Sequence, residues 1–115
     1  MSWRVIEFTR PRADTETMVS WLGELLAREG VKVTLAKEMD WGLELTVALG
    51  HRRTLLGIGE VEDEPGLYRA FTRPPSLVDY LVGWHRIRLR NEILERLKKA
   101  LENDETARRV RWVEL

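Results

Sequence analysis

The sequence predicts an α+β fold: a single, mostly antiparallel sheet in the order β-α-β-β-β-β-α-β, with two main helices packed on one face. Three observations lead there. Apolar residues recur with helical spacing at residues 18–26 and again at 89–101. Between these stretches lie short segments that alternate apolar and polar residues, the period of a half-buried strand. Turn residues separate those segments at hairpin distance, and strands grouped apart from helices mark the α+β class.

The first element, Trp3-Arg4-Val5-Ile6-Glu7-Phe8, is rich in aromatic and β-branched residues and ends before Arg10-Pro11. It reads as a strand. Asp14 or Thr15 then offers an N-cap, and Glu16 places a carboxylate at the positive end of the helix dipole. Met18, Trp21, Leu22, Leu25 and Leu26 form one apolar stripe, and Gly30 stands where a glycine stops a helix. Val31 to Ala36 alternates, and so does Trp41 to Leu49, whose Trp41, Leu43, Leu45, Val47 and Leu49 are expected on one core-facing side. Gly50-His51 turns the chain. Arg53 to Val61 returns with Leu56 and Ile58 on one face and Gly57 and Gly59 on the other, which predicts a bulge or a close approach over the glycines. Pro65-Gly66 marks a second turn, and Leu67 to Thr72 is the next strand, stopped by Pro74-Pro75. Ser76 reads as the N-cap of a short helix reaching Leu81 or Val82, interrupted at Gly83. From Leu89 a stripe of Ile93, Leu94, Leu97, Ala100 and Leu101 builds the second long helix, and Val110 to Val113 is a closing strand. The first strand, helix and second strand together suggest a right-handed crossover with those two strands close and parallel.

The 115 residues fit one domain spanning 1–115. Area scaling allows roughly two-thirds of the unfolded surface to be buried, enough for one core without staples. Cysteine is absent, which excludes disulfides, cysteine nucleophiles and cysteine-ligated metals. Lys+Arg and Asp+Glu are 19 each, a neutral balance that argues against coating DNA or an anionic membrane. No apolar run is long enough to span a bilayer, and the N-terminal stretch lacks the apolar region of a signal peptide. The expectation is a cytoplasmic protein. Its basic residues are mostly arginine, as in GC-rich bacterial genomes.

The neutral total conceals a bipolar chain. Residues 38–64 are acidic, and 84–100 are basic. Within the first, Glu60, Glu62, Asp63 and Glu64 crowd the end of a strand. Oxygen ligands at that density suit a hard cation, but the spacing is not that of an EF-hand, and solvated acids are common at hairpin tips. The expected role is an acidic partner-binding patch. Within the second, Glu92–Arg96 and Glu95–Lys99 are ordinary i,i+4 pairs of an exposed helix face. That leaves Trp84, His85, Arg86, Arg88 and Arg90 as a basic segment for a protein or nucleic-acid partner. Arg86 and Arg90 fall on the apolar stripe if the helix extends that far, so either the helix begins near Leu89 or they leave the core edge toward carboxylates. Trp84 is the expected exposed aromatic anchor; Trp3, Trp21, Trp41 and Trp112 sit in periodic elements and are expected in the core.

Catalytic motifs are missing. His51 and His85 lack the spacing of a two-histidine metal site, no serine lies in a nucleophile elbow, and Gly57-x-Gly59 lacks the rest of a dinucleotide loop. No catalytic residue, metal ligand or cofactor is expected.

The stretch Asp40 to Val47, then Gly57-Ile58-Gly59, Asp63-Glu64-Pro65, Arg73-Pro74 and Arg111-Trp112, resembles small uncharacterised bacterial proteins that read strand, acidic turn, strand, proline, broken helix. In size, lack of motifs and patchy charge the chain is also similar in type to immunity proteins that neutralise bacterial toxins. That resemblance implies an acidic surface covering a basic site on a partner protein. The leading expectation is therefore a non-enzymatic protein-binding module. The alternative is nucleic-acid or phosphate-ligand binding through Trp84 to Arg90. A small metal-dependent enzyme ranks third, and a strand edge offers a route to a homodimer.

Overall fold

The computed structural model describes residues 3–73 and 84–115. The elements are β1 (Arg4–Thr9), α1 (Thr15–Arg28), β2 (Lys32–Met39), β3 (Gly42–Leu49), β4 (Arg52–Glu60), β5 (Leu67–Phe71), α2 (Trp84–Glu102) and β6 (Arg108–Glu114). The strands form one open six-stranded sheet in the order β2-β3-β4-β5-β1-β6. Every neighbouring pair is antiparallel. Both helices lie on one face, as the α+β reading expects. The predicted short helix capped by Ser76 lies outside the described residues.

The helices start and stop for local reasons. The Asp14 side chain accepts a hydrogen bond from the Thr17 backbone N–H at 2.7 Å and caps α1. At the other end Gly30 has φ +77°, Gly30 N–H donates to Ala27 C=O, and Val31 N–H donates to Leu26 C=O. That pair of hydrogen bonds is the Schellman stop, which needs a left-handed residue. α1 and α2 are clasped by Arg96, whose Nη1 donates to Glu29 C=O at 2.7 Å.

The apolar stripe of α1 and that of α2 press on alternate residues of the sheet. Met18, Leu22, Leu25 and Leu26 meet Leu89, Ile93, Leu97 and Leu101 over Ile6, Phe8, Leu45, Val47, Leu56, Ile58 and Ala70. Helical period on one side and strand period on the other produce a single core. Among the described residues no helix is long and apolar enough to cross a membrane.

Two expectations are corrected. β1 and β2 are not neighbours: β3, β4 and β5 stand between them. Short turns keep β2 to β5 in a meander, and β1 docks on its last strand, β5, rather than on the free edge of β2. Trp41 is not in the core but 44% exposed. Its alternation with Leu43 is broken at Gly42, where φ is +151°. A Cβ there would stand 2.2 Å from the Ile58 carbonyl oxygen, so only glycine lets the chain turn this tightly onto β4. The turn throws Trp41 to the other side of the sheet.

Candidate functional site on the open sheet face

The face of the sheet opposite the helices is organised by cross-strand register. One row runs Lys37, Glu44, Gly57, Phe71 across β2 to β5. The next runs Gly59, Arg69, Glu7, Arg111 across β4, β5, β1 and β6. A third places Leu35 beside Thr46 and Thr46 beside Leu55. Leu35 reaches this face because a bulge between Val33 and Leu35 shifts the register of β2.

The centre of the face is aromatic. The two glycines of β4 leave a floor without side chains, and the rings fill it. A Cβ on Gly57 would stand 2.5 Å from the Phe71 ring, and one on Gly59 would meet the Trp41 backbone and indole. The close approach expected over these glycines is therefore Phe71 and Trp41. Phe71 lies 5.3 Å from the Trp41 ring centroid and 5.9 Å from that of Trp3, edge-on to the latter. The Trp3 indole N–H donates to Thr72 C=O at 3.0 Å, which fixes its tilt. Tilted and edge-to-face contacts at these distances are the favoured aromatic geometries.

Beside the aromatic row lies an ion triad. Glu7 is only 5% exposed although it sits on the open face. Its Oε1 accepts from Arg111 Nη2 at 2.6 Å and Nε at 3.0 Å, and its Oε2 accepts from Arg69 Nε at 3.1 Å. The hydrogen bonds from Arg111 hold its carboxyl below the usual range, against the opposing effect of burial, with Arg69 adding to the lowering. Both carboxylate oxygens accept hydrogen bonds from arginines, and Glu7 ties β5, β1 and β6 together.

Exposed apolar area gathers on this side. Among the described residues, the large hydrophobic side chains that remain exposed are Leu35 (62%), Trp41 (44%), Leu55 (40%) and Leu115 (55%). Leu35, Trp41 and Leu55 are on the open face, and Leu115 borders it, hydrogen-bonded through its N–H to Trp3 C=O. Two clefts flank Phe71. One, of about 240 Å³, lies between Trp3, Trp41, Phe71 and Leu55, with Glu44 and Arg73 at its sides. The other, of about 430 Å³, runs from Trp3 and Trp41 toward Glu62, Arg69 and Leu115.

The acids and bases singled out in the sequence are dispersed. Glu60 is tied down at the base of the hairpin: its Oε2 accepts from Gly66 N–H at 3.0 Å and pairs with Arg12 Nε at 3.0 Å. It pins the β4–β5 loop to the segment before α1. Burial raises the pKa of the adjacent Tyr68 hydroxyl, and the charge of Glu60 raises it further. Glu62, Asp63 and Glu64 are at the exposed tip, with Asp63 at φ 64°. Among the described residues no group of three or more His, Asp or Glu side chains is placed to hold a metal ion. His51 is exposed in the β3–β4 turn.

The basic segment lies on the helix side. α2 already runs at Trp84, which decides against a start near Leu89. Arg86 and Arg88 are exposed and Arg90 is half-buried, and Arg88 and Arg90 each have an interaction partner. The side chains of Trp84 and His85 lie outside the described residues. The 19 residues of α2 span about 28 Å, so its first turn is far from its C-terminal end. There the chain enters a cleft shared by Glu64, Gly66, Glu105 and Arg108 to Arg111. The acidic tip and the basic segment thus do not make one site. The aromatic row was missed as a site because its members come from three distant parts of the chain, the residue before β1, the β2–β3 turn and the end of β5; the signal available was Gly57 and Gly59.

Compared with known proteins, the chain matches no family model and no curated relative.

Proposed function

We propose that the chain is a non-enzymatic module that binds another protein through the open face of its sheet. The observation carrying this reading is that, among the described residues, all four exposed large apolar side chains lie on or beside that one face. Contiguous apolar surface of this kind marks interaction sites, and aromatic anchors at the centre dominate the energetics of such surfaces. Aliphatic Leu35 and Leu55 favour a protein over a nucleic acid, since leucine offers no ring on which a base can stack. The arginines central to this face, Arg69 and Arg111, are also already engaged with Glu7. Glu62 at the edge of the larger cleft extends the contact area to the acidic hairpin tip, with Asp63 and Glu64 beyond it.

The test is a titration of a purified partner against variants of each face. Trp41→Ala and Leu55→Asp should each weaken binding by about 30-fold or more, the scale of a hot spot. Glu95→Ala, on α2, should leave it unchanged. Affinity insensitive to both open-face variants would sink the proposal. So would an interaction with single-stranded oligonucleotides that depends on Trp41, or self-association abolished by Leu55→Asp.

A further inference from the structure

We infer that the partner of the open face presents an acidic protein segment, whose apolar side chains cover Leu35 and Leu55 while its carboxylates meet the cations around those leucines. The inference rests on the open-face reading and adds the chemistry of the occupant.

Register sets charge and apolar surface side by side. In the row nearest the β3–β4 turn Lys32 pairs with Ala48 and Ala48 with Arg53, so the two cations stand two strands apart, about 10 Å. The next row is Leu35, Thr46 and Leu55. Arg53 comes two residues before Leu55, about 7 Å away on the same side, and Lys37 comes two after Leu35. The bulge that brings Leu35 to this face leaves Lys32 on it as well. Arg73 lines the smaller cleft together with Leu55. Lys32, Lys37, Arg53 and Arg73 are all exposed, and none has an ion pair among the described residues.

The carboxylates of the face do not offset these cations. Glu44, half-buried in the row of Lys37 and Gly57, is the one acid near the leucines. Glu7 is shared by Arg69 and Arg111, which leaves that triad with a net positive charge. Glu38 is drawn to the helix side, where it accepts a hydrogen bond from the Thr15 hydroxyl at 2.9 Å. Glu62 belongs to the far end: β4 carries the face about 24 Å from Arg53 to Glu60 before Glu62 is reached. The leucine half of the face is therefore basic. Its field favours a partner of opposite charge and sets which way round that partner docks. Leucines rather than rings stand among these cations, so a nucleic acid would find contacts for its phosphates but no stacking surface for its bases there. A peptide that carries leucine-sized side chains among carboxylates matches both features.

Three heptapeptides serve as probes, each with two leucines set among glutamates, lysines or serines, and a thymidylate octamer is the fourth. Binding is read by calorimetry at low and high salt. The glutamate peptide should bind at least about tenfold more tightly than the serine peptide, and less tightly as salt rises. Lys32→Gln with Arg53→Gln should remove most of that preference and leave the serine peptide as it was. Leu35→Ser with Leu55→Ser should weaken both peptides. Equal binding of the three peptides, weakened alike by the two serine substitutions, would overturn the charge inference and leave the docking face standing. Preference for the lysine peptide would overturn it as well, and so would a glutamate preference that survives the two glutamine substitutions. A thymidylate octamer bound more tightly than every peptide would put a nucleic acid in place of the protein partner. Peptide binding indifferent to Leu35 and Leu55, or no peptide bound at millimolar concentration, would sink both readings.

Discussion

Glu7 shows what a single residue does here and why it was hard to see. In the sequence it alternates with Ile6 and Phe8, so its side of the strand was legible. Its partners were not, because Arg69 and Arg111 are 62 and 104 residues away along the chain. Only the register of three strands brings them into one row. Glu7→Gln keeps the shape and removes the charge, which should cost about 1–2 kcal/mol at neutral pH, modest because the arginines keep contact with water. The pH dependence has a definite sign. The folded carboxyl titrates below its ordinary value of 4.5. Its contribution is therefore complete above about pH 4.5 and is lost as pH falls through the folded pKa. Urea denaturation of both proteins at descending pH should show the gap between them closing only below that point. A gap that stays constant down to the acid limit would mean that the Glu7 charge adds no stability.

At the level of elements, periodicity was a good guide wherever it ran unbroken. The stripe of α1, its Asp14 cap and its Gly30 stop follow from spacing and residue type alone, because every interaction involved is local. The same method misplaced Trp41, since alternation carried through Gly42 gives no sign that φ there is +151°. It recognised Gly57 and Gly59 as a place of close approach but not what approaches. That depends on how β5 registers against β4, which the loop between them sets. The pairing Gly57↔Phe71 makes a direct prediction. Gly57→Ala must displace the Phe71 ring, whose nearest atoms would lie 2.5 Å from the new methyl group. The expected cost is about 1–3 kcal/mol, as for overpacking elsewhere. The near-ultraviolet circular dichroism of the Trp3–Phe71–Trp41 group should change with it. An alanine variant with wild-type stability and an unchanged aromatic signal would contradict the packing described.

For the whole molecule, the two faces of the sheet divide the work. Stability comes from the helix side, where Leu45, Leu56 and Ile93 are fully or almost fully enclosed. The open side keeps apolar residues in water and gains little from them in the free protein. That division was legible in β1 and β3, where alternation marks the core-facing side, but not in β4, both of whose faces read as apolar or small, so that which one the helices cover is decided by tertiary packing. It leads to opposite outcomes for leucines of the same sheet. Leu45→Ala removes a buried side chain beneath both helices and should cost about 2–5 kcal/mol. Leu35→Ser with Leu55→Ser removes more apolar surface in total, yet both side chains already face solvent, so each change should shift stability by no more than about 0.5 kcal/mol. The paired serine variant should also be less prone to associate at high concentration, because the exposed patch is broken. Thermal melts of the two proteins beside the wild type decide the matter. If the serine pair unfolds as readily as Leu45→Ala, the open face is part of the core of the free protein, and its leucines are not held in reserve for a partner.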